Sequence, residues 1–134
     1  MTLELQVYER ILPTNKRSYQ QKIIGHIVIP DQTTLFRFGK NPQTREFIPR
    51  IDSYAFLSEE QGRFGGEKKT YVFIPKGSSG ISLRKAFRFW FLDFGVRETM
   101  LDNNEPIQVQ AGDQFVSRDR TGRKEVVITV IQIY

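Results

Sequence analysis

The sequence predicts an all-β fold of two mainly antiparallel sheets connected by short loops. Apolar and polar residues alternate over short runs, and clusters of Gly, Pro, Asn and Asp separate these runs. No segment sustains the period of about 3.6 residues that marks an amphipathic helix. Short strands at this spacing are typical of a β-sandwich or a barrel.

The strands are predicted in order along the chain, each from its alternation and from the turn residues beside it. Pro30, Gly39 and Pro75 follow the second, third and fourth of these runs. The predicted strands cover residues 3–7, 23–29, 35–38, 71–74 and 125–134. The last run, EVVITVIQIY, is apolar on both faces, so we expect a strand that is covered on both sides or lies in the middle of a sheet.

Four polar or Gly-rich segments are predicted to connect strands. Thr14–Ser18 is the expected long loop, and Gly62–Lys69 is expected to form a mobile basic turn. Lys76–Gly80 is interpreted as a plain turn, because its Lys comes first and no helix follows it. Arg118–Lys124 is predicted to be the tip of the hairpin that precedes the last strand.

The chain has 134 residues, so we expect residues 1–134 to form a single domain. It has no Cys, no apolar run that approaches membrane-spanning length and no signal-peptide pattern at its N-terminus. These features favour a cytoplasmic protein that does not enter the membrane. The net charge of +5 suits a phosphate-bearing or polyanionic partner, although such a charge is more often a solubility feature.

Catalytic and metal-binding residue types are scarce in this chain. His26 is the only histidine and lies in an apolar strand, where a packed or edge-exposed side chain is favoured over a metal ligand. No nucleophile-elbow sequence is present, and the paired carboxylates lie in polar turn segments. The sequence therefore predicts a protein that is not an enzyme and that has no metal or other cofactor.

The segment from Trp90 to Phe115 is the most informative part of the chain. Gly95, Asn103, Glu105-Pro106-Ile107 and Gly112-Asp113 follow one another there, as a strand, an Asn-bearing turn, a second strand and a corner. In order and spacing, this segment resembles the C-terminal half of a forkhead-associated (FHA) domain. The resemblance implies an FHA-like β-sandwich, which is a protein-interaction module that binds its ligand through loops at one end.

The resemblance also implies which residues contact the ligand. Lys40 stands where the family has an Arg that reaches the phosphate of a phosphothreonine, and it keeps the charge without the planar fork. Ser53, beside Tyr54, matches the family's phosphate-binding Ser. Phe56 occupies the position of the His that braces this loop, and it cannot supply the imidazole's hydrogen bonds.

The family's Asp-x-Gly-Ser-x-Asn-Gly turn, which contacts phosphate and the peptide main chain, is matched here to Leu92–Thr99. Val96 replaces the Ser and donates no hydrogen bond, while Glu98 replaces the Asn and would repel phosphate. Arg97 is placed to restore the guanidinium that is lost at Lys40.

We therefore expect a non-catalytic interaction module whose partner is another protein. The altered positions predict weakened recognition of a phosphothreonine segment or recognition that is independent of phosphate. The candidate binding residues are Lys40, Ser53, Tyr54, Arg97 and Asn103. Two alternatives remain open: a nucleic-acid-binding β domain that uses the basic loops, which is less favoured, and a structural subunit that associates with itself.

Overall fold

The computed structural model describes residues 2–13, 18, 20–30, 36–38, 62–67, 70–77, 80–89 and 92–134. In this part of the chain all regular secondary structure is β-strand. The strands are β1 (Leu3–Ile11), β2 (Gln20–Ile29), β3 (Phe36–Phe38), β4 (Gly62–Glu67), β5 (Thr70–Pro75), β6 (Ile81–Phe89), β7 (Leu92–Met100), β8 (Ile107–Gln108), β9 (Gln114–Arg118) and β10 (Lys124–Ile133).

These strands form two antiparallel sheets. The six-stranded sheet has the order β2-β1-β10-β9-β6-β7, and the four-stranded sheet has the order β3-β4-β5-β8. Every described strand pair is antiparallel. The prediction of an all-β fold with two antiparallel sheets is therefore confirmed. No described segment forms a helix with the length and hydrophobicity that crossing a bilayer requires.

The two sheets meet at an aromatic core. Phe64 of β4, Phe73 of β5 and Phe115 of β9 are fully buried. The ring centroid of Phe73 lies 4.8 Å from that of Phe64 and 4.2 Å from that of Phe115, and the Phe64 and Phe115 rings meet edge to face. Each buried aromatic ring contributes about 1.5–3 kcal/mol relative to an exposed one, so this cluster joins the four-stranded sheet to the six-stranded sheet.

The last strand lies where its composition predicts. β10 has β1 on one side and β9 on the other, and it is buried on both faces. Val126, Ile128 and Val130 point into the core between the sheets, whereas Val127 is buried on the opposite face. The prediction of a strand in the middle of a sheet is confirmed.

The segment that was expected to form a mobile basic turn is a strand over most of its length. Residues 62–67 form β4, which pairs with both β3 and β5 in the four-stranded sheet. Phe64 anchors the strand in the core, and Gly62 is needed because a Cβ there would collide with the Phe73 ring. The turn prediction was wrong because the glycines indicated flexibility, whereas Gly62 serves close packing.

The match of Leu92–Thr99 to a phosphate-contacting turn is also wrong. These residues belong to β7, which pairs with β6 on both sides of a register shift at Phe94-Gly95. A turn motif requires backbone that reverses direction, whereas β7 is extended and ends only at Met100. The turn follows the strand, at residues 101–106, and leads into β8.

The Gly-Asp corner before β9 has the predicted form. Gly112 has a positive φ of 92°, which favours glycine, and its N–H donates to the Val130 carbonyl at 2.8 Å. The buried Asp113 carboxylate accepts a hydrogen bond from the N–H of Gln110 at 3.0 Å and lies 3.3 Å from Lys85 Nζ. The corner is thus fixed to β10 and β6 by named contacts.

The hairpin tip between β9 and β10 also has the predicted place. Gly122 has a positive φ of 72°, and its N–H donates to the carbonyl of Asp119 at 3.2 Å. One cation of this segment contacts the rest of the fold, because Arg123 Nη1 donates a hydrogen bond to the Pro13 carbonyl at 3.5 Å. The tip is therefore part of the folded scaffold as well as a source of positive charge.

The outer face of the six-stranded sheet, turned away from the core, carries a row of side chains in register. Cross-strand pairing aligns Ile23, Tyr8, Val127, Val116, Ser82 and Met100 across all six strands. Tyr8, Val116 and Val127 form a second apolar cluster, in which Val116 is 1% exposed and Val127 is fully buried. The two ends of the row, Ile23 and Met100, are exposed.

Charged side chains cover the middle of this row. Arg118 donates to both carboxylate oxygens of Glu98, at 2.6 and 2.7 Å, and to Glu125 at 2.9 Å. Glu125 also pairs with Arg10 at 2.8 Å and with Arg84 at 3.5 Å. We call these five residues the Arg–Glu network. The Arg118–Glu98 and Arg84–Glu125 pairs each cross over the apolar row, which accounts for the burial of Val116 and Val127.

Candidate functional site

β3 and β5 end, and β4 begins, at the same end of the four-stranded sheet. Phe38, the last residue of β3, pairs with Gly62 of β4, and Gly62 pairs with Pro75 of β5. The chain therefore leaves β3 towards Gly39 and Lys40 at the end where β4 begins and β5 finishes. The turn that follows β5 starts at the same end, at Lys76.

A cavity of about 190 Å³ opens at this end of the sheet. It is lined by Gly62, Arg63, Ile74, Pro75, Lys76 and Asn104. Strand pairing places Arg63 directly opposite Ile74, so the cavity floor is formed by neighbouring strands of one sheet. We call this group of residues the β5-end cavity.

Asn104 joins the cavity to the turn after β7. Its side-chain Oδ1 accepts a hydrogen bond from the N–H of Gly77 at 2.5 Å. The turn after β7 lies close to Gly77: a Cβ added to this glycine would lie 3.0 Å from Asn104 Oδ1 and 3.3 Å from the Asp102 carbonyl oxygen. The turn after β5 and the turn after β7 are thus held against each other, and both border the same cavity.

The β5-end cavity is electropositive. Arg63 and Lys76 are both exposed, and neither forms an ion pair with another residue in the described part of the chain. Three arginines of the six-stranded sheet differ from this pair, since Arg10, Arg84 and Arg118 are committed to carboxylates. A guanidinium and an ammonium beside a carboxamide are donors suited to an anionic ligand.

The structure places two of the five predicted binding residues. Arg97 is exposed in β7, directly across from Lys85 of β6, and lies three residues before Met100. At about 3.3 Å per residue, this puts its Cα roughly 10 Å along the strand from the turn after β7. Arg97 therefore lies on a strand and not in a turn, and its role in binding stays a prediction.

Asn103 lies beside the cavity residue Asn104 and is exposed. Its Oδ1 accepts a hydrogen bond from the N–H of Glu105 at 3.1 Å, which is the geometry of an Asx turn. This contact shapes the turn after β7. The other three predicted binding residues, Lys40, Ser53 and Tyr54, lie outside the described residues, as do Phe56 and Trp90.

Arg63, Lys76 and Asn104 are not among the predicted binding residues. Arg63 lies in the segment that is expected to form a basic turn, and Lys76 begins the segment that is expected to be a plain turn. A signal is present for Lys76, because Gly77, Ser78 and Gly80 follow it in the order of the glycines and serine in the Asp-x-Gly-Ser-x-Asn-Gly pattern to which residues 92–99 are matched.

Comparison with solved structures gives the fold. An engineered FHA domain, determined with a Myc-pTBD peptide, matches with a TM-score of 0.50 and 16% sequence identity, covering 93% of this chain and 91% of that one. The FHA1 domain of yeast Rad53 matches with a TM-score of 0.48 and 15% identity, covering 93% of this chain and 77% of that one. No protein-family model and no curated protein sequence matches the chain. The chain has an FHA-like β-sandwich fold, as its C-terminal half indicated.

Proposed function

We propose that this protein is a non-catalytic protein-interaction module that binds an anionic, phosphorylated peptide segment at the β5-end cavity. The observation that carries the proposal is the pair of exposed cations, Arg63 and Lys76, beside a cavity at the end of an FHA-like sandwich where β3 and β5 end and β4 begins. The engineered FHA structure to which this fold is similar was determined with a Myc-pTBD peptide, which supports a peptide as the ligand class.

The position of the turn after β5 supports this assignment. The segment Pro75-Lys76-Gly77-Ser78-Ser79-Gly80 connects the four-stranded sheet to the six-stranded sheet. It keeps the Gly-Ser pair and the final Gly of the family's Asp-x-Gly-Ser-x-Asn-Gly turn, and it is shorter by one residue. This segment is a better counterpart of the family's turn than the strand residues 92–99.

The three hydrogen-bond donors at the cavity differ in charge and in geometry. Arg63 offers a planar guanidinium that grips two phosphate oxygens together, and Lys76 offers a point charge. The side-chain oxygen of Asn104 accepts the hydrogen bond from the Gly77 N–H, so the NH₂ group is the part of this carboxamide that remains to donate to a ligand. Lys40, Ser53 and Tyr54 remain proposed contributors, because the connection that carries them starts at Phe38, beside the cavity.

The proposal is tested with matched peptide libraries that differ only in phosphorylation. Binding of phosphothreonine, phosphoserine, phosphotyrosine and unmodified libraries is measured by fluorescence anisotropy at fixed salt. Arg63→Ala and Lys76→Ala are each expected to weaken phosphopeptide binding about tenfold or more, because hydrogen bonds to charged groups contribute about 1.5–3 kcal/mol. Arg97→Ala is the matched control, since it removes an exposed guanidinium from β7 and should change affinity by less than about twofold.

Equal binding of phosphorylated and unmodified libraries would disprove phosphate recognition. Loss of binding in Arg97→Ala, with Lys76→Ala unaffected, would move the site to β7. A steep fall of affinity with salt for unrelated nucleic acids, together with no peptide binding, would favour the nucleic-acid alternative instead.

A further inference from the structure

The sheet edges of the protein differ in how well they are protected against pairing. In the described part of the chain, the four-stranded sheet ends in β3 and β8, which have only three and two residues. The six-stranded sheet ends in β7, where Arg97 and Glu98 are exposed, and in β2, which has ten residues. Short strands and exposed charges protect an edge, so β2 is the least protected edge among the described strands.

The second half of β2 is regular and uncharged. Tyr8 pairs with Ile23 and Val7 pairs with Gly25, so Ile24 is an extra residue that forms a β-bulge. After the bulge, Gly25–Ile29 pairs with β1 without interruption. This segment contains no Lys, Arg, Asp or Glu, and its Val28 is 48% exposed.

We propose that Gly25–Ile29 pairs antiparallel with the same segment of a second copy of the chain, about a two-fold axis at Ile27. In this register Ile27 faces its own counterpart, and Val28 faces His26 of the other copy on the outer face. This register is consistent with the alternation of side chains along a strand, because His26 and Val28 are two residues apart and lie on the same face of the sheet. The two six-stranded sheets then form one continuous sheet, and the two-fold symmetry closes the assembly at two copies.

A second copy fits this edge because the pairing brings no like charges together. Each chain carries a net charge of +5, yet the nearest β2 cation, Lys22, lies before the bulge. In the proposed register the two Lys22 residues are ten positions apart, roughly 30 Å, which is well beyond the screening length of about 8 Å at physiological salt. His26 already has a carboxylate neighbour in its own chain, since its Nε2 lies 2.6 Å from Glu4 Oε1.

The surface area that the proposed strand pair buries determines the expected affinity of the dimer. One short strand pair falls below the area of about 1,200 Å² that stable interfaces bury, so the dimer is weak and depends on concentration. Sedimentation velocity of the full chain, from about 10 μM to about 1 mM, should show a reversible monomer–dimer equilibrium.

Val28→Lys tests the edge directly. The new ammonium would face His26 of the other copy twice in each dimer, and we expect the dimer dissociation constant to rise about tenfold or more. Within one chain, position 28 pairs with Glu4, so Lys is compatible with the folded monomer. Met100→Lys is the control, because Met100 is 58% exposed and lies on the same face at the opposite edge.

A second measurement reports the register. The chain has no Cys, so Ile27→Cys introduces a single thiol that would face its counterpart with Cβ atoms about 4.5–5.5 Å apart. Mild oxidation should link Ile27→Cys into dimers much faster than Met100→Cys, although position 100 is more exposed. A chain that stays monomeric at 1 mM, equal effects of Val28→Lys and Met100→Lys, or equal cross-linking of the two Cys variants would overturn the proposal.

Discussion

The two faces of the six-stranded sheet bury apolar side chains by different means. The inner face packs against the four-stranded sheet, and its Phe115 contacts two other phenylalanines. Among the described residues no second sheet lies over the outer face, and the Arg–Glu network covers its valines instead. The comparison shows that a sheet face can be closed by long side chains with charged ends as well as by another layer of strands.

The two arrangements depend on different forces. The aromatic core is stabilised by the hydrophobic effect and by packing, which salt and pH hardly alter near neutrality. The outer face depends on paired charges, whose attraction is screened by salt and lost when a carboxylate is protonated. Substitutions on the two faces should therefore differ in their response to solution conditions as well as in size.

The largest effect is expected on the inner face. Phe115→Ala removes a ring that lies 4.2 Å from Phe73 and edge to face with Phe64, so it leaves a cavity between the sheets. We expect the free energy of unfolding to fall by about 3–5 kcal/mol, measured by urea denaturation. Phe115→Leu keeps most of the volume and should cost clearly less, and equal losses for the two variants would argue against this packing.

A smaller loss is expected on the outer face. Glu125 is 1% exposed and is the carboxylate shared by Arg10, Arg84 and Arg118. Glu125→Ala leaves these cations without their common partner and should lower the free energy of unfolding by about 2–4 kcal/mol. Glu125→Gln, which keeps hydrogen-bond acceptance without charge, should lose less. A change below about 0.5 kcal/mol in Glu125→Ala would show that the network contributes little.

Arg118→Lys separates geometry from charge. The guanidinium of Arg118 bonds Glu98 through two nitrogens and Glu125 through the third, which a single ammonium cannot reproduce. We expect a loss of about 1–2 kcal/mol in the free energy of unfolding at low salt, because the network is partly exposed. The loss should shrink in about 1 M NaCl, whereas the loss in Phe115→Leu should not. The same salt response in both variants would remove the distinction between the faces.

The parts of the fold that alternation encodes were predictable from the sequence. β1 and β2 carry apolar residues at the spacing that one buried face requires, β5 and β10 carry the continuous apolar runs of more deeply buried strands, and the Gly112-Asp113 corner needs a residue that tolerates positive φ. β4 was missed because Gly62 and its neighbours Gly65 and Gly66 have the composition of a turn. Only the Phe73 ring above Gly62 explains why a glycine is required in that strand.

The candidate site was less predictable, because strand register brings its residues together. Arg63, Lys76 and Asn104 are far apart in sequence, and the pairing of β4 with β5 and the Asn104–Gly77 hydrogen bond place them around one cavity. Arg97 was selected from a local match to a turn, and extended pairing with β6 overrides that local pattern. The assignments of Lys40, Ser53 and Tyr54 remain predictions.

The smallest expected effect is a pH dependence on the outer face. Hydrogen bonds from Arg118 hold the pKa of Glu98 below its ordinary value, against the opposing effect of partial burial. Because the folded-state pKa lies below the unfolded one, Glu98 contributes stability that is present above the unfolded value of about 4.3 and is lost as pH falls through the folded value.

Glu98→Gln removes this titration and tests its origin. Urea denaturation between pH 7 and pH 3 should show a gentler decline in the free energy of unfolding for Glu98→Gln than for the unchanged chain. Glu105→Gln is the control, since Glu105 is exposed in the turn after β7 and lies outside the Arg–Glu network. If Glu98→Gln and Glu105→Gln follow the same acid profile, the Arg118–Glu98 pair does not stabilise the folded state, and the burial of Val116 must arise from packing alone.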